Sequence, residues 1–284
     1  FPYTTLFRSG RNMTYKLIAL DLDGTLKSSK KQILPKTKAI LQELAKKGIV
    51  IVLASGRPTA GMYNEANELE LDKLGGYLLS FNGAKVINYQ NKEIIYQNVY
   101  DASIAHNVYD RAKEFNLAAM TYTDELILTE DDYDEYVLIE SDINHMPIKH
   151  VDDFKKTVNF SVNKVLLTGK PDYVESILDD FKVPFEDTLS IYRSTPFFIE
   201  VMGKNIDKAA SLQRLIEHLG IKQDEVICFG DGYNDLTMIK FAGLGVAMAN
   251  SVDDVKKHAN YVTLSNDEEG IYECLKILSE KGEI

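Results

Sequence analysis

The chain contains 284 residues, of which 45% are hydrophobic, which is enough to bury the core of one large domain or two moderate ones. The formal net charge of −11 at pH 7 argues against a nucleic-acid partner, because such proteins usually present a basic face. Apolar runs in the sequence stay well short of the ~20 residues that a membrane helix needs, so we expect no membrane partner. Cys228 and Cys274 lie in apolar and helical patterns, which predicts buried thiols in a reducing compartment.

Residues 1–12 differ in character from the rest of the chain. The stretch from Phe1 to Ser9 resembles a translated cloning or sequencing adapter, and the organised sequence begins at Met13. A secretory signal would have a basic start and a long apolar centre, and this stretch has neither. We therefore interpret 1–12 as a non-native extension and predict a cytoplasmic protein.

Strand-length apolar runs alternate with helical patterns in the first part of the chain. The predicted elements are a strand over 15–20, a helix over 35–47, a strand over 48–53, a helix over 59–69 and a strand over 77–80. This β-α-β-α-β order implies parallel strands joined by right-handed crossovers. It predicts an α/β fold, a Rossmann-like parallel sheet with helices on both faces.

The segment 85–202 has more polar alternation and more tyrosine than its surroundings. Its predicted elements are a hairpin of 85–88 and 93–97, a helix over 101–116, a second hairpin of 117–123 and 126–129, two shorter helices, a strand over 164–168, a helix over 171–181, and strands over 189–193 and 197–201. This pattern predicts an α+β cap domain inserted into a core that comprises 13–84 and 203–284.

The last part of the chain returns to the α/β pattern of the first. Its predicted elements are helices over 206–219, 236–242, 252–258 and 268–278 and strands over 226–229, 244–248 and 261–264. The helix over 206–219 ends at Gly220.

Two aspartates, Asp21 and Asp23, follow the first strand. Residues two apart on an extended chain point the same way, so both carboxylates project from one strand end. Such a pair resists ionising unless a cation offsets its charge, and oxygen ligands suit Mg²⁺. A calcium loop would need Gly at its sixth position and Glu at its twelfth, where Leu26 and Gln32 stand. A plain Asp-x-Asp-Gly turn is the alternative that this segment alone leaves open.

Three further positions carry polar groups at a strand end or a helix start, where ligands of open parallel sheets gather. Ser55 and Gly56 follow the second strand, where they form a small anion site or, alternatively, a serine N-cap. Lys208 opens a helix, a position that is unfavourable for a cation unless it meets negative charge; a solvated lysine is the ordinary alternative. A second acidic cluster after the strand over 226–229 contains Asp231, Asn234 and Asp235, against the alternative of an Asp-Gly turn.

In this order, the motifs Asp21-Leu22-Asp23-Gly24-Thr25, Ser55-Gly56-Arg57, Lys208 and Gly230-Asp231-Gly232-Tyr233-Asn234-Asp235 resemble those of the haloacid dehalogenase-like phosphohydrolases. The resemblance extends from Met13 to the C-terminus. It is closest to the Cof-type (YidA-like) sugar phosphatases, supported by Ser80-Phe81-Asn82-Gly83-Ala84 and Val246-Ala247-Met248-Ala249-Asn250.

The resemblance implies a Mg²⁺-dependent phosphatase acting on a small phosphorylated metabolite, with the cap as a substrate lid. Asp21 would attack phosphorus to form an aspartyl-phosphate, and Asp23 would serve as acid and then as base. The implied roles of the other residues are metal binding by Asp21, the Asp23 carbonyl and Asp231, phosphate binding by Ser55, Gly56, Lys208 and Asn234, support from Asp235, and substrate contacts from Asn82 and Arg193. A phosphomutase and a non-catalytic phosphate-binding regulator are the alternatives, and the oligomeric state is left as a monomer or a weak homodimer.

Overall fold

The structure is a computed structural model, and it describes residues 15–284. The predicted extension 1–12 lies outside the described residues. The strands, in chain order, are β1 Leu17–Leu20, β2 Val50–Ala54, β3 Tyr77–Ser80, β4 Lys85–Asn88, β5 Ile94–Gln97, β6 Ala118–Tyr122, β7 Ile127–Thr129, β8 Ile148–His150, β9 Lys164–Thr168, β10 Leu189–Thr195, β11 Phe198–Gly203, β12 Val226–Gly230, β13 Leu244–Ala247 and β14 Tyr261–Val262.

The helices confirm most of the predicted helical segments, with ends that shift by a few residues. They are α1 Pro35–Lys46, α2 Tyr63–Glu68, α3 Leu71–Leu74, α4 Ala102–Glu114, α5 Glu135–Asn144, α6 Phe154–Thr157, α7 Pro171–Lys182, α8 Lys208–Leu219, α9 Leu236–Phe241, α10 Asp253–His258 and α11 Gly270–Glu280. Within residues 15–284 we find no helix that is both long and apolar enough to cross a membrane.

The described chain divides into two compact units, and the first contains residues 15–56, 62–96 and 207–284. Its eight-stranded sheet has the order β14-β13-β12-β1-β2-β3-β4-β5. The strands from β14 to β3 run parallel, as the alternating pattern predicts. β1 lies between β12 and β2, so residues that follow these three strands share one edge of the sheet.

Apolar side chains cover both faces of this sheet. Alternate residues of β1 enter opposite clusters, with Ile18 and Leu20 in one and Leu17 and Ala19 in the other. Helices α1 and α11 contribute to the first cluster, and α8, α9 and α10 contribute to the second. A parallel strand buried on both faces reads as a continuous apolar run, which is the pattern of β1. The predicted α/β class with helices on both faces is confirmed.

The hairpin of β4 and β5 differs from its predicted place. The sequence pattern predicts 85–97 as part of the cap, but both strands belong to the eight-stranded sheet, where Ser80 of β3 lies opposite Lys85 of β4. Only the short turn Phe81–Gly83 and Ala84 separate β3 from β4, and a connection this short forces the strands to pair antiparallel. The contact boundary of the insert therefore lies at Gln97 instead of residue 85.

The second unit contains residues 57–61 and 97–206. Its six-stranded sheet has the order β10-β11-β9-β6-β7-β8 and is antiparallel except for the parallel pair of β7 and β8. Strand β8 was not predicted, because its three residues give too short a pattern. Val108 of α4, Phe154 of α6 and Phe181 of α7 belong to the apolar cluster on one face of the sheet.

Candidate active site

The first predicted motif begins where β1 ends. Asp21 follows Leu20, and its backbone N–H donates to the Phe229 carbonyl of β12 at 3.1 Å, so the main chain fixes its position at the sheet edge. The residue is buried, with 6% of its surface exposed. Asp21 therefore sits at the centre of the edge where the neighbouring β2 and β12 also end.

Lys208 places its ammonium group among carboxylates at this edge. It is the first residue of α8, and Asp207 caps that helix by accepting the Ala210 N–H at 2.8 Å. Lys208 Nζ donates to Asp21 Oδ1 at 2.7 Å, to Asp235 Oδ1 at 2.6 Å and to the Ala54 carbonyl at 2.9 Å. Its side chain is fully buried, so the alternative of a solvated lysine does not hold.

Asp231 follows β12 and meets the loop of the first motif. The hydroxyl of Thr25 donates to Asp231 Oδ1 at 2.7 Å, which ties together two loops that are 206 residues apart in sequence. Gly24 lies so close that a Cβ built on it would be 2.3 Å from Asp231 Oδ2, and its φ is +82°. A glycine is required here both by the backbone conformation and by the approach of the carboxylate.

Asp235 is completely buried and uses both of its carboxylate oxygens within the protein. Oδ2 accepts the backbone N–H groups of Asp231 and Gly232 at 2.9 and 3.0 Å, while Oδ1 accepts Lys208. Asp235 thereby closes the Gly230–Asp235 loop and orients Asp231. This geometry suits the supporting role that the sequence analysis gave it.

Three carboxylates converge at the edge. Asp21, Asp231 and Asp235 each have an oxygen within 4.8 Å of the others. Burial raises the pKa of Asp21 well above its ordinary range, Asp235 raises it further, and Lys208 opposes both. Burial also raises the pKa of Asp231, against the hydrogen bond from Thr25. When ionised, three carboxylates and one ammonium leave two negative charges, and an oxygen-only donor set of that charge fits Mg²⁺.

The residues predicted to bind phosphate lie beside this cluster. Ser55 is buried after β2, and its carbonyl accepts the Asn82 N–H at 3.0 Å. Asn82 Oδ1 accepts Asn234 Nδ2 at 3.1 Å, and a Cβ built on Gly56 would lie 3.1 Å from the same oxygen. The next helical turn begins only at Thr59, so Ser55 is not a helix N-cap. The Ser55-Gly56 loop, the turn after β3 and the Asp231–Asp235 loop are thus brought together.

Asp23 and Arg193 differ from this group. Asp23 is exposed on the turn after β1. The cluster of converging carboxylates contains Asp235 and not Asp23. Metal binding by the backbone carbonyl of Asp23 therefore stays a prediction. Arg193 belongs to β10 of the second unit, where Nη2 lies 3.7 Å from Glu175 Oε1. Its contact with substrate stays a prediction.

Two residues in the recognised motifs have contacts to which the sequence analysis gave no role. One is Thr25, whose hydroxyl holds Asp231. The other is Asn250, whose Nδ2 donates to the Gly24 carbonyl at 2.8 Å. Their position within the family motifs is the one sequence feature that marks them. Asp231 and Gly24 lie more than 200 residues from Thr25 and Asn250, respectively, and no local pattern indicates such a pairing.

Comparisons with known proteins agree with this architecture. A sequence model described as haloacid dehalogenase-like hydrolase matches residues 18–275. A haloacid dehalogenase-like hydrolase from Bacteroides thetaiotaomicron is similar in structure with a TM-score of 0.90 and 42% identity, over 93% of this chain and 100% of that one. The structure of the HAD subclass IIB sugar phosphatase BT4131 is similar with a TM-score of 0.73 and 27% identity, over 95% and 100% of the two chains.

A relative whose name states its activity is also similar in sequence. The 5-amino-6-(5-phospho-D-ribitylamino)uracil phosphatase YitU of Bacillus subtilis is 31% identical over 271 residues, which cover 92% of this chain and 96% of the relative. The similarity therefore spans both units of the described chain.

Proposed function

This chain belongs to the haloacid dehalogenase-like hydrolase family, and from that premise we propose that it is a Mg²⁺-dependent phosphatase of small phosphomonoesters, sugar phosphates in particular. It is a hydrolase that acts on phosphate esters. One observation carries the proposal further. A buried carboxylate, Asp21, ends the central strand beside a buried ammonium and two more carboxylates.

In the proposed reaction, a carboxylate oxygen of Asp21 attacks phosphorus. The bond from phosphorus to the substrate oxygen breaks, and protonated Asp23 donates its proton to that leaving oxygen. The product is an aspartyl-phosphate on Asp21. Asp23, now a carboxylate, accepts a proton from a water molecule that attacks the same phosphorus, and inorganic phosphate leaves as the Asp21 carboxylate is restored.

The charges of the site explain why this attack needs help. Asp21 and a phosphate ester are both anionic and repel each other at close range. Mg²⁺ would be held by the carboxylates of Asp21 and Asp231 and the carbonyl of Asp23, and when bound it neutralises charge on the phosphoryl group. Asp235 holds the Asp231 loop in place, and Lys208 offsets the charge of Asp21.

Phosphoryl oxygens would be held by donors around Asp21. We assign this role to the hydroxyl of Ser55, the backbone N–H of Gly56, the Asn234 amide and Lys208. Asn82 accepts a hydrogen bond from the Asn234 amide at 3.1 Å, and we assign it a contact with the substrate. The lid role of the insert and the contact from Arg193 are further parts of the proposal that rest on the family resemblance.

The names of two relatives support the choice of substrate class. One is a sugar phosphatase, and the other acts on a phosphorylated ribityl chain. Both names describe a phosphate on a hydroxylated carbon chain. We therefore propose the same chemical class for this protein.

A phosphate-release assay tests the proposal directly. It compares p-nitrophenyl phosphate and a panel of sugar phosphates with Mg²⁺ and with EDTA, for the wild type, Asp21→Asn and Asp179→Asn. We expect Mg²⁺-dependent release that is lost in Asp21→Asn, because an amide is a poor nucleophile. Asp179→Asn is the matched control, since its side chain is 98% exposed, and we expect it to retain full activity.

Each alternative function predicts a different result, which product analysis and a binding measurement on the same compounds would detect. Transfer of phosphate to a second sugar, instead of release, would indicate a phosphomutase. Binding of a phosphorylated compound with no turnover would indicate a regulator. Activity of Asp21→Asn close to that of the wild type would contradict the assignment of the nucleophile.

A further inference from the structure

A buried ion pair lies next to the catalytic turn but outside the residues assigned above. Lys27 Nζ lies 2.5 Å from Glu65 Oε1, and the two side chains are only 10% and 6% exposed. Lys27 belongs to the loop after β1, and Glu65 belongs to α2. Charges this deeply buried carry a large desolvation cost, so a pair of similar apolar residues would often be at least as stable.

The main chain of Lys27 closes the loop that carries Asp23. Its N–H donates to the Leu22 carbonyl at 2.9 Å, and the N–H of Leu26 donates to the Asp21 carbonyl at 3.1 Å. Asp23 and Lys27 also form an isolated β-bridge. Residues 23–27 therefore form a closed turn, and we expect a displacement of Lys27 to displace Asp23 as well.

The same residue is held from the other side through its carbonyl. Asn266 Nδ2 donates to the Lys27 carbonyl at 2.9 Å, and Asn250 Nδ2 donates to the Gly24 carbonyl at 2.8 Å. Asn266 also donates its backbone N–H to Asn250 Oδ1 at 3.0 Å. These bonds fix the main chain of the turn, while the bond to Glu65 fixes the direction of the Lys27 side chain.

We propose that Lys27 and Glu65 are positioning residues that hold Asp23 where it can give its proton to the leaving group. The inference rests on the proposed function. It explains why a charged pair occupies a buried place in which an apolar pair would suffice for stability. Neither residue is expected to touch the substrate.

The test separates positioning from stability with a double variant, Lys27→Met/Glu65→Met. Two apolar side chains of similar length remove both charges together, so the fold is expected to persist. Glu65→Gln is a second, milder variant. The control is Lys47→Met/Glu43→Met, which removes an ion pair at the C-terminal end of α1 whose side chains are 60% and 64% exposed.

The readout is the ratio of kcat/KM for the best sugar phosphate to kcat/KM for p-nitrophenyl phosphate. A nitrophenolate leaves without a proton, whereas a sugar alkoxide needs one, so the ratio reports the acid role of Asp23. Asp23→Asn sets the scale for its complete loss. We expect the Lys27→Met/Glu65→Met variant to lower the ratio about tenfold or more, out of the roughly 10²–10⁴-fold that a positioned acid contributes. The exposed-pair control should leave the ratio unchanged.

The possible failures can be told apart. An unchanged ratio in the folded double variant, with a lowered ratio in Asp23→Asn, overturns the positioning role alone. An equal loss on both substrates also overturns it, because that is the signature of general damage to the site. An inactive wild type overturns the proposed function, and this inference with it.

Discussion

Lys208 donates to three oxygens, and an ammonium group has three N–H donors. A phosphoryl oxygen can therefore bind Lys208 only by replacing one of its present acceptors. We expect the bond to Asp21 to yield, because that oxygen loses negative charge when it bonds to phosphorus. The lysine would then follow the charge from the carboxylate to the phosphoryl group.

Gly24 gives a prediction at the residue scale. In Gly24→Ala, the new methyl group would lie 2.3 Å from Asp231 Oδ2, and the residue would keep a positive φ of 82°. The backbone conformation alone costs about 1–2 kcal/mol. We expect the displaced Asp231 to lower activity at least tenfold and to raise the Mg²⁺ concentration needed for half-maximal rate.

Gly48→Ala is the matched control for this prediction. Gly48 has a φ of +95°, but no atom lies within 4 Å of a Cβ built there. We expect Gly48→Ala to lose about the same 1–2 kcal/mol of unfolding free energy in urea for its backbone conformation, and to retain its activity. If both variants lose activity equally, the close approach of Gly24 to Asp231 is not the cause.

At the scale of elements, the second unit buries charge on the sheet face opposite its apolar cluster. Lys164 of β9 lies 3.0 Å from Glu200 of β11, and Tyr122 of β6 donates to Glu140 of α5 at 2.8 Å. Burial raises the pKa of Glu140, and the charge of Lys164 opposes that shift. Helix α5 therefore brings an acid that is held more easily in its protonated form than an exposed glutamate.

This shift predicts a pH dependence that Glu140→Gln removes. A raised pKa means that the folded state binds the proton more tightly, so the wild type loses stability as pH rises above the ordinary value of 4.5. Glutamine can still accept from Tyr122 but cannot ionise. We therefore expect the unfolding free energy of Glu140→Gln minus that of the wild type to be larger at about pH 8 than at about pH 4.

Urea titrations at the two pH values check this expectation. Glu114→Gln serves as the control, because that side chain on α4 is 65% exposed. If the unfolding free energies of Glu140→Gln and the wild type differ by the same amount at both pH values, Glu140 does not couple folding to protonation.

The accuracy of the sequence-based predictions differed between elements. Strands of four or more apolar residues and helices with a clear apolar face were predicted within a few residues, because burial imposes their period. The predicted strand ends also brought Asp21, Ser55 and Asp231 together, and the predicted helix start added Lys208. The hairpin over 85–97 was assigned to the cap domain but belongs to the eight-stranded sheet, since its own pattern does not specify a neighbouring strand. The ion pair of Lys27 with Glu65 was missed because nothing local in either segment identifies the partner.

At the scale of the whole molecule, each unit has its own apolar core, and this predicts more than one unfolding transition. Phe154 and Phe229 are both fully buried, the first in the second unit and the second in the first. Truncation of either to Ala should cost roughly 3–5 kcal/mol. We expect Phe154→Ala to shift one transition in urea and Phe229→Ala to shift the other.

Hydrogen exchange followed along the chain would assign each transition to a unit. Mg²⁺ with a phosphate analogue provides an internal check, because a ligand stabilises the unit that binds it. We expect the ligands to raise the urea midpoint of the transition that Phe229→Ala shifts. A single transition shifted equally by both variants would contradict the independence of the two cores.

The long separation between Asp21 and Lys208 has a consequence for biosynthesis. These residues are 187 positions apart, and β1 is flanked by β12, a strand that is translated about 200 residues after it. While the nascent chain emerges from the ribosome, β1 and β2 are present before β12, the strand that pairs with the other edge of β1. Asp21 stays without its ammonium partner until α8 has been translated, and Thr25 stays without Asp231 until the loop after β12 has been translated. We therefore expect the carboxylate site to assemble only after α8 and β12 have left the ribosome, and one edge of β1 stays unpaired until then.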